Sequence, residues 1–144
     1  MPRPEQFPIV VEFSVQWGDQ DMFGHVNNIH FLRWFESARI EYLSRCGARI
    51  SNAGVGPILA AVNCDYRRQI RYPDQVFVSA SVEKIGTSSL TIQHYLWCGS
   101  QHDLAAEGKS VVVMFDYQSQ QSVSISQEIR DAIAALDAQI KPPN

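Results

Sequence analysis

The sequence predicts an α+β fold: an antiparallel sheet wrapped around one long central helix, with a short helix after the sheet. Three observations carry this reading. One run, Ile29 to Cys46, places apolar residues at helical spacing. Almost all of the chain beyond it is strand-like in pattern. The connections between those strands permit hairpins but not helical crossovers, so neighbouring strands must run antiparallel.

The elements follow in order. Ile9, Val11, Phe13, Val15 and Trp17 alternate with Val10, Glu12, Ser14 and Gln16, the period-2 pattern of a half-buried strand. The pattern breaks at Gly18, and the polar stretch that follows ends in Asn27 and Asn28, residues able to cap a helix. In the helix itself, Ile29, Leu32, Phe35, Leu43 and Cys46 form a broad stripe that Phe31, Ala38 and Tyr42 widen, and Gly47 is placed to end it. At about 1.5 Å per residue it spans roughly 27 Å. So much of its circumference is apolar that it suits the grip of a curved sheet. Pro57 to Cys64 is a mostly apolar run. Val76 to Glu83 and Leu90 to Trp97 alternate, and after turn residues Gly99 to Asp103 a further strand runs from about Leu104 to Tyr117. The capping box Ser124-x-x-Gln127 then opens a helix carrying Ile129, Ile133 and Leu136. No repeat, linker or low-complexity tract divides residues 1–144, which read as a single domain.

Composition narrows the function classes. The chain has 45% apolar residues, a formal charge of −3 and a pI near 5.7. Without a broad basic field, nucleic acid and anionic membranes are poor partners, and any anionic ligand must be held by a local cluster. Cys46, Cys64 and Cys98 are odd in number and have no C-x-x-C spacing, which fits reduced thiols in a cytoplasmic protein better than a disulfide framework or a zinc site. The N-terminal residues carry no run long enough for an export signal or membrane span.

Chemistry concentrates between Trp17 and Glu36, where Asp19 and Asp21 stand in a loop just ahead of the long helix. The first N–H groups of a helix lack intrahelical partners and carry partial positive charge, so they can hold an oxygen that becomes negative during acyl transfer. A nearby carboxylate can act on water or on the carbonyl carbon. On pattern alone, loop shaping and capping are the better account of both aspartates.

The stretch Asp19-Gln-Asp21-Met-Phe-Gly24-His25-Val26-Asn27-Asn28-Ile-His-Phe31-Leu-Arg33-Trp-Phe-Glu36 resembles the motif D-x-D-x-x-G-H-V-N-N-x-x-Y-x-R-x-x-E of hotdog-fold acyl-CoA thioesterases, in the 4-hydroxybenzoyl-CoA thioesterase-like branch. Arg71-Tyr-Pro-Asp74 and Val82 to Ser89 extend the likeness over nearly the whole chain. The resemblance implies a hotdog fold and hydrolysis of an acyl-CoA to free acid and CoA without a cofactor. It also implies a homodimer or homotetramer with sites at subunit interfaces. Asp21 would be the general base or nucleophile and backbone N–H groups near Asn28 the oxyanion donors, with His25 orienting the loop or supporting catalysis. Gly24 fits a loop needing an unusual backbone angle or close approach to the ligand. Gln20 and Phe31 depart from the motif's frequent threonine and tyrosine, so no polar role passes to position 31. A non-catalytic acyl-CoA or acyl-carrier binding protein of the same fold is the alternative, because fold alone does not fix function.

Other constellations are weaker. His25 and His30 do not share a helical face, and no metal-ligand spacing occurs. His94 reads as a satisfied core or pocket-lining residue, and Glu36 as an ion-pair partner of Arg33 or Arg39. Gly86-Thr-Ser-Ser-Leu90 lacks the closing glycine of a nucleophile elbow. Arg67, Arg68 and Arg71 form a basic cluster suited either to CoA phosphates or to a solvated strand end.

Overall fold

A computed structural model describes residues 1–49, 51 and 53–142. Its main elements are β1 (Val10–Ser14), α1 (Asn28–Arg45), β2 (Val55–Tyr66), β3 (Gln75–Ser79), β4 (Ser81–Ile85), β5 (Ser89–Cys98), β6 (Asp103–Asp116), β7 (Gln121–Ser122) and α2 (Gln127–Asp137). The strands form one antiparallel sheet in the order β1-β3-β5-β6-β2, with β4 also on β5 and β7 on β6. This curled sheet holds α1 against β1, β2, β3 and β5, as the sequence predicts.

The helix ends are set by local chemistry. Asn27 is the N-cap, its Oδ1 accepting the Ile29 N–H at 3.2 Å. At the other end Gly47 takes φ +76°, with its N–H on the Ser44 carbonyl and the Ala48 N–H on that of Leu43. This closure satisfies the last helical carbonyls and requires a left-handed residue. Phe31, Trp34, Phe35, Ala38, Tyr42 and Leu43 are buried, as is Cys46 just beyond the helix. Ile29 is not part of the buried stripe: it sits in the first turn, at the sheet margin, and is 56% exposed. Trp17 likewise leaves the predicted first strand for a 3-10 turn and is 75% exposed.

Two further boundaries differ from expectation. The short helix is capped by Ser126, whose Oγ accepts the Ile129 N–H, so Ser124 lies outside it. The predicted strand over residues 76–83 is two strands bent at Ala80. Val78 pairs with Leu96 and Ser81 with Gln93, which leaves Ser79 and Ala80 outside the ladder opposite His94 and Tyr95. Side chains replace the missing ladder bonds there. Tyr95 N–H donates to Ser79 Oγ at 3.1 Å, and His94 Nδ1 bonds the Ser79 carbonyl at 3.0 Å.

That His94 lies under the middle of α1. The Ser79 carbonyl can only accept, so Nδ1 carries the proton and Nε2 is an acceptor. Ser110 Oγ–H therefore donates to Nε2 at 2.8 Å and accepts in turn from buried Arg39 Nη1 at 3.0 Å. Phe35 stacks on the imidazole with ring centroids 4.7 Å apart. Burial pushes the His94 pKa down to about 4, and the Arg39 charge adds to that, so the ring is neutral.

Candidate active site

The loop before α1 is folded on itself and tied to the chain beyond β2. Gln20 and Val26 form an isolated bridge, and the Asp21 N–H donates to the His25 carbonyl at 2.9 Å. The turn between them is shaped by Asp21, whose carbonyl accepts from Gly24 N–H and whose Oδ1 accepts from Phe23 N–H at 2.8 Å. Asp21 Oδ2 has no protein partner among the described residues. Gly24 takes φ +82°, a left-handed conformation that fits a glycine. The His25 contact with the loop runs through its backbone; its imidazole makes no hydrogen bond among the described residues.

Asp19 is used differently. Its Oδ2 accepts the Gln16 N–H at 2.8 Å, its carbonyl accepts the Asn27 N–H, and its Oδ1 lies 3.6 Å from His30 Nδ1. These contacts fix the approach to the helix. Gln20 Oε1 accepts from Tyr72 N–H and the Ile70 carbonyl from Val26 N–H, so the segment after β2 is held against the loop.

The helix start opens into a cavity of about 250 Å³ lined by His25, Val26, Asn28, Phe31, Tyr66, Arg67, Arg68, Gln69 and Ile70. At its edge the Asn28 N–H, the first of α1, has no hydrogen-bond partner among the described residues, whereas the Ile29 and His30 N–H groups are taken by Asn27. A free donor at a positive helix end, beside apolar Val26, Phe31 and Ile70, can hold the oxygen of a polarised carbonyl.

The structure brings His25, Asn28, Arg67 and Arg68 to one cavity. Asp21 and Gly24 do not line it, but stand in the turn that His25 closes. Arg71 lines a neighbouring hollow with Arg68, Tyr72 and Asp74. Arg67 and Arg68 reach Glu107 and Asp103 at 3.7 and 2.7 Å, and their N–H groups share the Ala105 carbonyl. These pairs are solvent-exposed and weak enough for a phosphate to compete. Glu36 reaches Arg39 at 3.8 Å and lies outside the cavity, as the ion-pair reading expects. Tyr66 lines the cavity without having been marked in the sequence. Burial pushes the free Cys46, Cys64 and Cys98 thiols up to about 11, away from thiolate chemistry. Among the described residues, no group of three or more His, Cys, Asp or Glu could hold a metal ion, and no helix is long and apolar enough to cross a membrane.

A curled antiparallel sheet around one long helix, with a short helix after the sheet, is the hotdog fold. The family model described as the thioesterase-like superfamily matches residues 15–133. A thioesterase from Thermus thermophilus, solved as a complex with coenzyme A and zinc, is 33% identical; the match covers 96% of this chain and 99% of that one, with a TM-score of 0.79. The PA5185 protein of Pseudomonas aeruginosa is also 33% identical, over 92% and 94% of the two chains, with a TM-score of 0.81. The long-chain acyl-CoA thioesterase FadM of Escherichia coli is 19% identical over 118 residues, 81% of this chain and 89% of its own. The chain belongs to the thioesterase-like superfamily and is a hotdog-fold thioester hydrolase of the acyl-CoA thioesterase type.

Proposed function

We propose that the protein hydrolyses acyl-CoA thioesters with Asp21 as the reacting carboxylate and the Asn28 N–H as oxyanion donor. The thioester oxygen sits on that N–H, the acyl group rests on Val26, Phe31 and Ile70, and the CoA phosphates lie over Arg67 and Arg68 with Arg71 beyond them. Asp21 either takes a proton from the attacking water or adds to the carbonyl carbon itself. In both routes the C–S bond breaks, CoA leaves as thiol, and water supplies the oxygen of the free acid. The His25 carbonyl, which accepts the Asp21 N–H, closes the loop that carries Asp21, and Gly24 gives the turn its left-handed residue. The long β2 edge supports a homodimer or homotetramer.

The observation that carries this reading is the free Asn28 N–H opening onto a cavity that Arg67 and Arg68 also line. Its test is a substitution that removes that N–H, with a second that removes only the side chain. Proline is well tolerated at the first helical position, and Asn27, at φ −63° and ψ 139°, already has the backbone that precedes a proline. Asn28→Pro is expected to lower kcat about 10²- to 10³-fold, measured by CoA-thiol release across a panel of acyl-CoAs. Asn28→Ala, which keeps the N–H, is expected to retain most activity. A folded wild type that releases no thiol from any acyl-CoA, yet binds them, would establish the non-catalytic alternative.

A further inference from the structure

The cavity wall facing the helix start is built by Tyr66, the last residue of β2. Its hydroxyl donates to the Asn28 carbonyl at 3.2 Å, and its ring meets Phe31 edge-on, with centroids 5.0 Å apart and planes at 78°. Both aromatic residues line the same cavity as Asn28. The position of Tyr66 is fixed from behind. It pairs with Ala106 on β6, and the next two N–H groups, of Arg67 and Arg68, both bond the Ala105 carbonyl. The strand end is therefore anchored before its hydroxyl reaches the helix.

The chemistry of that hydrogen bond is directional. A backbone carbonyl only accepts, so the tyrosine is the donor in its bond to Asn28, with the Cys64 side chain as its other hydrogen-bonding neighbour. Burial beside Cys64 pushes the phenol up to about 12, and it stays a donor through the working pH range. Asn28 carries the unpaired N–H on one side of its Cα and the restrained carbonyl on the other. In a frayed first turn the direction of that N–H would drift, and an oxyanion donor is effective only when it is aimed before the charge forms.

We infer that Tyr66 is a positioning residue for thioester hydrolysis, clamping the first residue of α1 so that the Asn28 N–H points into the cavity. This rests on the proposed role of Asn28 and extends it to a residue on another element. The edge-on contact with Phe31 sets the ring, and the hydroxyl sets the peptide.

Tyr66→Phe removes the hydroxyl and keeps the aromatic contact. For loss of one neutral hydrogen bond, kcat is expected to fall about 5- to 20-fold, with KM within about twofold and the melting temperature lowered by no more than a few degrees. The same change in an Asn28→Pro background is expected to have no further effect on kcat, because the donor it aims is gone. Tyr66→Trp, which keeps an aromatic ring but cannot place a hydroxyl there, should show the Tyr66→Phe defect or a larger one. A wild-type kcat in Tyr66→Phe, beside a crippled Asn28→Pro, overturns the Tyr66 assignment alone. So does an equal loss in both backgrounds, since the hydroxyl would then act otherwise than through Asn28. Wild-type kcat in Asn28→Pro overturns the functional reading on which the inference rests.

Discussion

Two carboxylates two residues apart have different jobs in this chain, and their hydrogen bonds distinguish them. Both Asp19 side-chain oxygens are engaged or approached, by Gln16 N–H and His30, whereas Asp21 spends one oxygen on its turn and leaves the other without a partner among the described residues. Asp21→Asn preserves shape while removing basicity and nucleophilicity, and kcat should fall roughly 10²- to 10⁴-fold. Asp19→Asn should cost far less kcat and be felt mainly as lower stability, through the 3-10 turn it holds. Steady-state hydrolysis with folded variants of matched oligomeric state checks both, and a larger kcat loss at Asp19 would show that the wrong carboxylate has been assigned. The arginines give a binding effect instead. Charge reversal at Arg67 or Arg68 should raise KM for acyl-CoA, leave kcat near wild type, and change little for a truncated pantetheine thioester. Equal effects on both substrates would remove the phosphate assignment, and Arg71, on the adjoining hollow, should show a smaller effect. The loop chemistry was legible in sequence because all its residues fall within one short stretch ahead of a helix. Tyr66 was not: it meets Asn28 across 38 positions, and only the curl of the sheet brings them together.

The bend between β3 and β4 shows what strand periodicity omits. Val76, Val78 and Ala80 are buried as the alternation reads, but Ser79 and Ser81 are buried too and Val82 is only half-buried, because alternation carries no information about where a ladder is interrupted. The break depends on His94 and Ser79 supplying side-chain bonds in place of backbone ones, a relation that exists only after β5 has paired. The helix boundaries were more legible, because caps are local: Asn27, Gly47 and the run between them are neighbours in sequence. Ser124 misled because its spacing to Gln127 satisfies the capping-box pattern, while Ser126 makes the actual bond. His94 also ties helix to sheet in a pH-dependent way. Its folded pKa, about 4, lies below the ordinary value of 6.5, so the unfolded chain binds more protons between those values. Stability should therefore be complete above about pH 6.5 and fall progressively toward pH 4, by up to an order of 3 kcal/mol. Denaturant unfolding across that range should show the slope, and His94→Gln should flatten it; an unchanged slope would place the acid sensitivity elsewhere. Gly108 is the sheet-side counterpart. A Cβ there would overlap the Asn63 carbonyl oxygen and stand 2.9 Å from the Phe35 ring, so Gly108→Ala should destabilise by roughly 1–3 kcal/mol or more through overpacking and loss of β2–β6 pairing.

At the scale of the whole molecule the unbalanced feature is β2. It is a sheet edge twelve residues long, and the described chain pairs it on one side only, with β6. The opposite edge, β1, is five residues long. Monomeric proteins blunt long edges with lysines, prolines or bulges, because unpaired N–H and C=O groups recruit other strands. Here β2 carries Pro57 near its start, one irregularity between Leu59 and Ala61, and no lysine or arginine. Ile58, Leu59 and Val62 are 39%, 43% and 37% exposed, so apolar surface accompanies the open backbone. A second copy of the same strand, run antiparallel about a two-fold axis, satisfies both needs with one interface. In full register, such a pairing would set the beginning of one β2 beside the Tyr66 end of the other, next to the cavity at the helix start. The expected outcome is a mass of two or four chains by light scattering at micromolar concentration. Leu59→Lys with Val62→Lys places two charges on the edge at positions already part-exposed, which a folded monomer should tolerate at little cost in stability. If the second chain completes the site, this variant should become monomeric, keep its circular dichroism spectrum, and lose thioester hydrolysis along with its partner. A wild type that runs as a monomer, or a monomeric variant with full kcat, would show that each chain holds a complete site of its own.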